Sequence, residues 1–432
     1  MIISDPKGEL YLYTCELLKE MGYEVVVIDF KNPKKSMRYN YLQPVIDAVN
    51  MNDIPLAVMR TRDIVESIAH KDGHERIWTD GEKAVLTCGI LAVVYDNKER
   101  PQYQNLPNVY HFLGKMCADP GNNEPVALVD YLDSKPDDHP AKASIHISNI
   151  APDKMRGSFY TSALTAIELL TDANIQDMVS DTEFDIYSTG IRKRAIFIIL
   201  PDHKKTYYPL AALFVQQQYE ILVDCSDMHG KRLPRRVNFN LDEFGNFTQI
   251  PDFSTKMTVG GGRGIRFNMY LQSLSQLVEK YGKEEATTIS GNAETWIYLK
   301  ATDSDTLEAL SKKLGTYTTK SVGMSSNSDG GNTVSTNYMG RDLLRPNELE
   351  QIKRPYSLIF SREGKPAFMY APDISKTIFN KLLGMGDEEH NRQLLEKRQA
   401  ARPERERKPM MIWNPLLDRV MEMKRPRKKM NC

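Results

Sequence analysis

Two kinds of apolar pattern divide the chain. Near its start, Ile2-Ile3 leads into Asp5-Pro6, then a stretch with Leu10, Leu12, Leu17 and Leu18 that stops at Gly22. The run Glu24-Val25-Val26-Val27-Ile28-Asp29-Phe30 follows. It is apolar throughout, as a parallel strand covered on both faces should be, so the opening predicts a β-α-β unit. From about Gln43 to Asp185 no β-branched run occurs. Instead Ile64, Ile68, Trp78, Val85, Leu86, Ile90, Leu91 and Val94 fall on helical stripes, as do Tyr160, Leu164, Ile167, Leu169 and Leu170. The cluster Asp133-Ser134-Lys135-Pro136-Asp137-Asp138-His139-Pro140 breaks these helices apart. The strand pattern resumes at Arg194–Leu200, closed by Pro201, and a long helix is predicted from Pro209 to about Cys225.

Further on, Val237–Leu241 reads as an apolar strand, and Gly260-Gly261-Gly262-Arg263-Gly264 as a glycine-loosened loop before a short strand. A polar turn then carries Gln272 into a helix, and Thr287–Ala301 supplies another strand after Ser290-Gly291-Asn292. Ser321–Asn337, rich in Ser, Gly and Asn, reads as a mobile loop. Beyond Gly384, Glu389–Lys408 is charge-dense and reads as a solvated helix or disorder, followed by a short amphipathic piece, Ile412–Met423. The expected fold class is α/β with a mainly parallel sheet. Residues 1–45 and 186–384 form the α/β body, 46–185 an inserted all-α domain, and 385–432 a charged, partly disordered tail.

Composition narrows this picture. A chain of 432 residues holds two or three domains with real cores. Its longest apolar run, Ala84–Tyr95, contains Gly89 and falls far short of a bilayer span. Met1 leads through Ile2-Ile3 straight to Ser4-Asp5, which is no signal-peptide pattern. Cys15, Cys88, Cys117, Cys225 and Cys432 are scattered, with no C-x-x-C, and point to a reducing compartment without disulfides or zinc. The formal net charge of zero hides an asymmetry. Residues 46–185 carry 23 acidic against 12 basic side chains, and residues 390–432 carry 13 basic against 5 acidic. Different partners are expected for the two regions. The basic end Lys424-Arg425-Pro426-Arg427-Lys428-Lys429 suits DNA or anionic lipid, or serves only to solubilise.

The candidate chemistry sits where the apolar strand ends in Leu241-Asp242-Glu243-Phe244. In a phosphate-handling ATPase an aspartate so placed holds Mg²⁺, usually through water, and the glutamate polarises the attacking water. The alternative is a solvated turn. A second strand ending in Gln272 fits a γ-phosphate sensor, against an ordinary satisfied amide. Arg263 is a candidate charge stabiliser, within its own subunit or for a neighbour. The 432 residues contain no G-x-x-x-x-G-K-[ST], so the loop that cradles phosphates is not among them.

These stretches, in this order, carry a resemblance. They are Ile3-Ser4-Asp5-Pro6-Lys7-Gly8-Glu9-Leu10, Asn32-Pro33-Lys34-Lys35-Ser36, Ile196–Asp202, Leu241–Phe244 and Leu271–Leu277. Thr306–Ser311 with Leu314-Gly315, and Arg341–Leu349, extend it to about residue 375. Each is weak and their fixed order is specific. The chain resembles the VirD4/TraG family of type IV secretion coupling proteins, the conjugative DNA-transfer ATPases. The resemblance implies a RecA-like P-loop NTPase body that uses ATP and Mg²⁺. It also implies an all-α domain that meets relaxase or relaxosome proteins, a homo-hexameric ring threaded by single-stranded DNA, and contact with secretion-channel proteins. Intact relatives sit on the cytoplasmic face of the bacterial cell membrane, and membrane-spanning helices and a Walker A loop precede their Asp-Pro-Lys-Gly-Glu strand. Asp5 and Lys7 are thereby placed near the nucleotide, although Asp5 reads equally as a helix cap and Lys7 as an exposed first-turn lysine. Many relatives carry two arginines separated by one residue before the glutamine strand. Here Gly261 stands at the earlier position, leaving Arg263 alone. The negative balance of the all-α domain favours a basic protein over duplex DNA as its ligand. Two readings follow: the cytosolic part of a DNA-exporting motor, or an ATP-incompetent module that only docks substrate proteins.

Overall fold

A computed structural model describes residues 1–69, 76–121, 124–326 and 332–418. The opening unit is β1 (Ile2–Asp5), α1 (Glu9–Glu20) and β2 (Glu24–Asp29). Helices follow without an intervening strand: α2 (Gln43–Asn50), α3 (Ile54–Ile68), α4 (Arg76–Asp96), α5 (Leu106–Met116), α6 (Ala127–Asp133), α7 (Pro140–Ser144), α8 (His146–Ile150), α9 (Asp153–Ala166) and α10 (Ala173–Met178). Then come β3 (Arg194–Ile199), α11 (Tyr208–Met228), β4 (Val237–Leu241), α12 (Phe253–Arg263), β5 (Ile265–Met269) and α13 (Ser275–Asn292).

The five strands form one parallel sheet in the order β2-β3-β1-β4-β5. Strand periodicity sorts its side chains between two cores. Ile3, Val27, Ala195, Phe197 and Ile199 meet Tyr11, Cys15 and Leu18 of α1 on one face. Ile2, Val26, Ile28, Ile196 and Ile198 join a larger core on the other face, continuous with the buried interior of the helical region. Every residue of β3 is buried, as the apolar run Ala195–Ile199 requires, and Arg194 at its start is paired with Glu24. At the centre of the helical region, Val85, Leu86, Ile90, Leu91 and Val94 of α4 are fully buried. A Cβ on Gly89 would lie 2.9 Å from the Leu113 side chain, so glycine lets α4 and α5 approach closely.

Two expectations need correction, at Gly260–Gly262 and at Ser321–Asn337, while the strand expected after Asn292 and the solvated helix expected near the end take definite form. Gly260-Gly261-Gly262 does not loosen a loop: it lies in α12, where a Cβ at Gly260 would stand 3.3 Å from the Ile265 carbonyl. The strand expected in Thr287–Ala301 is short, β6 (Thr295–Tyr298), and α13 runs through Asn292. It joins a separate antiparallel sheet, β10-β9-β6, with β9 (Tyr356–Ser361) and β10 (Ala367–Tyr370). That sheet packs its own small core against α14 (Ser304–Leu314) and α15 (Pro346–Glu350), including Leu307, Leu310 and Leu349. Most of Ser321–Asn337 is a paired ladder, β7 (Thr316–Ser326) with β8 (Asn332–Asp342), where backbone pairing replaces burial. Finally, α16 (Asn380–Leu383) and α17 (Glu388–Ala400) fold against α1, and residues 401–418 run on across the body to the helical region. The basic cluster Lys424–Lys429 lies outside the described residues. No helix among the described residues is long and apolar enough to cross a membrane.

Candidate functional site

Parallel strands carry their chemistry at their C-terminal ends, and β1, β4 and β5 deliver Ser4-Asp5, Asp242-Glu243 and Gln272 to the same edge. Ladder pairing continues past the strands: Tyr270 N–H donates to Leu241 O (3.0 Å) and Phe244 N–H to Tyr270 O (3.0 Å). This zip sets Gln272 beside the acidic pair, and its Nε2 donates to both oxygens of Glu243, at 3.2 and 3.1 Å. Asn246 Nδ2 donates to the same carboxylate at 3.3 Å.

The turn is anchored from below. Phe244 is fully buried among Phe253, Phe247 and Tyr281. Lys280 Nζ donates to its carbonyl at 2.6 Å, and burial, then Lys205, pushes that lysine down to about 7. Glu243 adopts a left-handed backbone, φ 50° and ψ 41°, a conformation that non-glycine residues hold only under constraint. Ser4 Oγ donates to Asp242 O at 2.7 Å, tying β1 to the pair. The Asp242 carboxyl is held above its ordinary value, first by burial and then by Glu243. The Glu243 amide and Lys7 pull the other way.

Asp5 is 1 % exposed, and its two oxygens accept from Gly8 N–H (2.9 Å) and Tyr11 N–H (2.8 Å). It therefore caps α1, with Gly8 at φ 82° as the N-cap residue. Burial pushes its carboxyl up, against those amides. Lys7 is exposed and its charge is felt at Asp242. Arg263 stands elsewhere. It ends α12, before β5 begins, and its Nη1 donates to Ser226 Oγ (2.7 Å) and Asp227 Oδ1 (2.5 Å). The whole of β5, about 3.3 Å per residue, separates it from Gln272. Strand direction thus sets Arg263 at the opposite end of β5 from Gln272.

Residues that sequence reasoning missed support the corner. Gln276 Oε1 accepts from Gln272 N–H at 3.1 Å, and a Cβ at Gly245 would lie 2.3 Å from the Gln276 amide. Gly245 therefore admits the latch that holds Gln272. Thr306 Oγ1 accepts from Leu274 N–H at 2.9 Å, tying the same turn to α14. The glycine directly after Asp-Glu-Phe was the visible signal for this approach. As a donor set, the Asp242 carboxylate suits a hard cation, and Glu243 with Gln272 suits a water beside a terminal phosphate. At the start of α1 the Gly8 and Tyr11 amides are filled by Asp5 and so are not offered to a phosphate.

The family described as Type IV secretory system Conjugative DNA transfer matches residues 1–370. Protein VirD4 of Rhizobium radiobacter is 23% identical over 405 residues, covering 89% of this chain and 55% of that protein. Conjugal transfer protein TraG of Agrobacterium fabrum is 22% identical over 373 residues, with 85% and 55% covered. The chain thus spans about half the length of the curated relatives it matches. In fold it is similar to the bacterial conjugative coupling protein TrwBdeltaN70 in its unbound monoclinic form. The TM-score is 0.60 at 15% identity, covering 86% of this chain and 84% of that one. TrwB in complex with ADP and Mg²⁺ gives a TM-score of 0.57 at 15% identity, with 86% and 84% covered. With a RecA-like sheet, an acidic pair and glutamine at one edge, and the family match over residues 1–370, this chain belongs to the type IV secretion coupling proteins of conjugative DNA transfer.

Proposed function

We propose that this chain supplies the hydrolytic half of a motor that links relaxase-bound single-stranded DNA to a type IV secretion channel. The observation that carries it is the Glu243–Gln272 pairing, with both Gln272–carboxylate contacts at 3.2 Å or less, next to Asp242. TrwB, similar in fold, has been solved with ADP and Mg²⁺, which makes Mg²⁺-ATP the cofactor to expect. When bound, Mg²⁺-ATP supplies the phosphoanhydride to be cleaved. Asp242 would hold the Mg²⁺, Glu243 would accept a proton from the water beside the terminal phosphate, and Gln272 would orient that water. Lys7 contributes positive charge beside them, while Asp5 fixes α1. Arg263 has a role only toward a neighbouring subunit of a homo-hexamer. These 432 residues hold no G-x-x-x-x-G-K-[ST] loop to cradle the phosphates. The acidic helical region, 46–185, docks basic relaxase or relaxosome proteins. The DNA passes a central channel through backbone contacts, and the assembly works at the cytoplasmic face of the membrane.

The test is a mating assay in donors that carry Glu243→Gln or Asp242→Ala at the native locus. Transfer is expected to fall by about 10³-fold or more, the scale of losing a group that stabilises phosphoryl transfer. Undiminished transfer from both variants overturns the motor reading. It would favour the second one, an ATP-incompetent docking module, which the Asp5-filled start of α1 supports.

A further inference from the structure

The segment after α17 lies in an extended path with no ladder of its own, yet its inward side chains are specifically received. Arg402 Nη2 donates to the buried Asp29 carboxylate at 2.6 Å. Arg405 reaches Asp177 Oδ2 at 3.2 Å and Glu183 Oε1 at 3.2 Å, while Arg38 holds Asp177 Oδ1 and the same Glu183 oxygen. Asn108 then reads the strap's backbone from both sides. Its Nδ2 donates to Met411 O (3.1 Å) and its Oδ1 accepts from Trp413 N–H (2.7 Å). The Trp413 ring is 4 % exposed and stacks on Phe112, centroids 5.3 Å apart at 9°.

Paired carboxylates for guanidinium groups, an amide that grips any extended backbone, and a slot for an aromatic ring form a peptide-recognition surface. The strap fits it imperfectly. Arg405 Nε is buried without a hydrogen-bond partner, an uncompensated desolvation. Beside Trp413 an open cavity of about 520 Å³ lies between Tyr110, His111, Gly114 and Lys115 on the helical side and Ile412, Asn414 and Leu417 of the strap itself, so the strap leaves part of this face uncovered. The strap is tied to the body's backbone at Arg405 N–H to Lys34 O (2.9 Å) and otherwise mainly through side chains, and a segment so sparsely held opens locally with little resistance.

We propose that the groove running from Asp29 past Asp177 and Glu183 to Phe112 is a binding site for extended peptides of the form R-x-x-R followed by an aromatic residue. In this account the chain's own tail is a displaceable occupant. The competing partner is an extended, basic segment of a transferred protein. That last identification rests on the docking role proposed above; the groove itself does not.

The experiment titrates a fluorescent peptide of residues 401–418 into the full chain and into the full chain carrying Arg405→Ala and Trp413→Ala. Self-occupancy lowers apparent affinity by the free fraction, so the unlatched variant should bind the peptide about tenfold more tightly or better. Adding Asn108→Ala should remove that gain, and a peptide with Trp413→Ala should not bind. Hydrogen exchange checks that α5 stays protected while residues 401–418 open. A folded, unlatched chain that leaves the peptide unbound overturns the proposal. So does a wild-type chain that exchanges tails between copies, seen as doubled mass with no peptide uptake. The titration reads the groove alone, so loss of relaxase docking in cells with peptide binding intact would sink the docking reading and leave the groove standing.

Discussion

The two ends of the β4–β5 pair are built from the same two strands and do different work. At the C-terminal end Asp242, Glu243 and Gln272 converge, with Gln272 bonded to both Glu243 oxygens. At the N-terminal end Arg263 is tied to Ser226 and Asp227 of α11. On the same helix Glu220 faces Arg60, Asp63 and Lys256. One end leaves carboxylates half-open beside each other under backbone constraint. The other neutralises its charges in ion pairs that bind α11 to α3 and α12. Motif spacing put all four residues on one list, and strand direction divides them.

The largest test of this contrast is Phe239→Ala. Phe239 is fully buried midway along β4 and stacks on Phe267 at 4.9 Å, so both ends depend on it. A thermal melt should register a loss of about 3–5 kcal/mol, the range for emptying a buried aromatic site. Next is Glu220→Gln. Burial, then Asp63, pushes the Glu220 carboxyl from 4.5 up to about 7. The native state therefore keeps a proton that the unfolded state releases, and stability falls as pH rises between those values. Denaturant titrations across pH 4.5 to 7 should show wild type losing on the order of 3 kcal/mol relative to the variant.

Gly245→Ala comes third. The new Cβ meets the Gln276 amide that holds Gln272 N–H, at a cost of about 1–3 kcal/mol. It should also speed exchange of the Gln272 amide. Arg263→Ala is smallest, about 1 kcal/mol or less for a partly exposed ion pair. It should leave exchange at Gln272 unchanged; faster exchange there would break the division between the two ends.

Much of this was legible in the residues. All-apolar runs marked β2 and β3, helical stripes marked α4, and Asp242, Glu243 and Gln272 stood at strand ends. What stayed hidden depended on partners distant in sequence. Gly260 sits in a helix because α12 must press its backbone near Ile265 O, 3.3 Å from a would-be Cβ. The polar β7–β8 ladder is held by pairing rather than by an apolar stripe, so periodicity carried no signal. Arg402 and Arg405 read as solvated charge until Asp29, Asp177 and Glu183 are brought beneath them.

On the motor reading proposed above, these residues hold the hydrolytic half of a nucleotide site and not its phosphate cradle. Phosphate release from Mg²⁺-ATP, measured on this 432-residue chain, tests it most directly. No turnover above background is expected. Turnover that Asp242→Ala or Glu243→Gln abolishes would contradict it, because the corner would then be working without the loop.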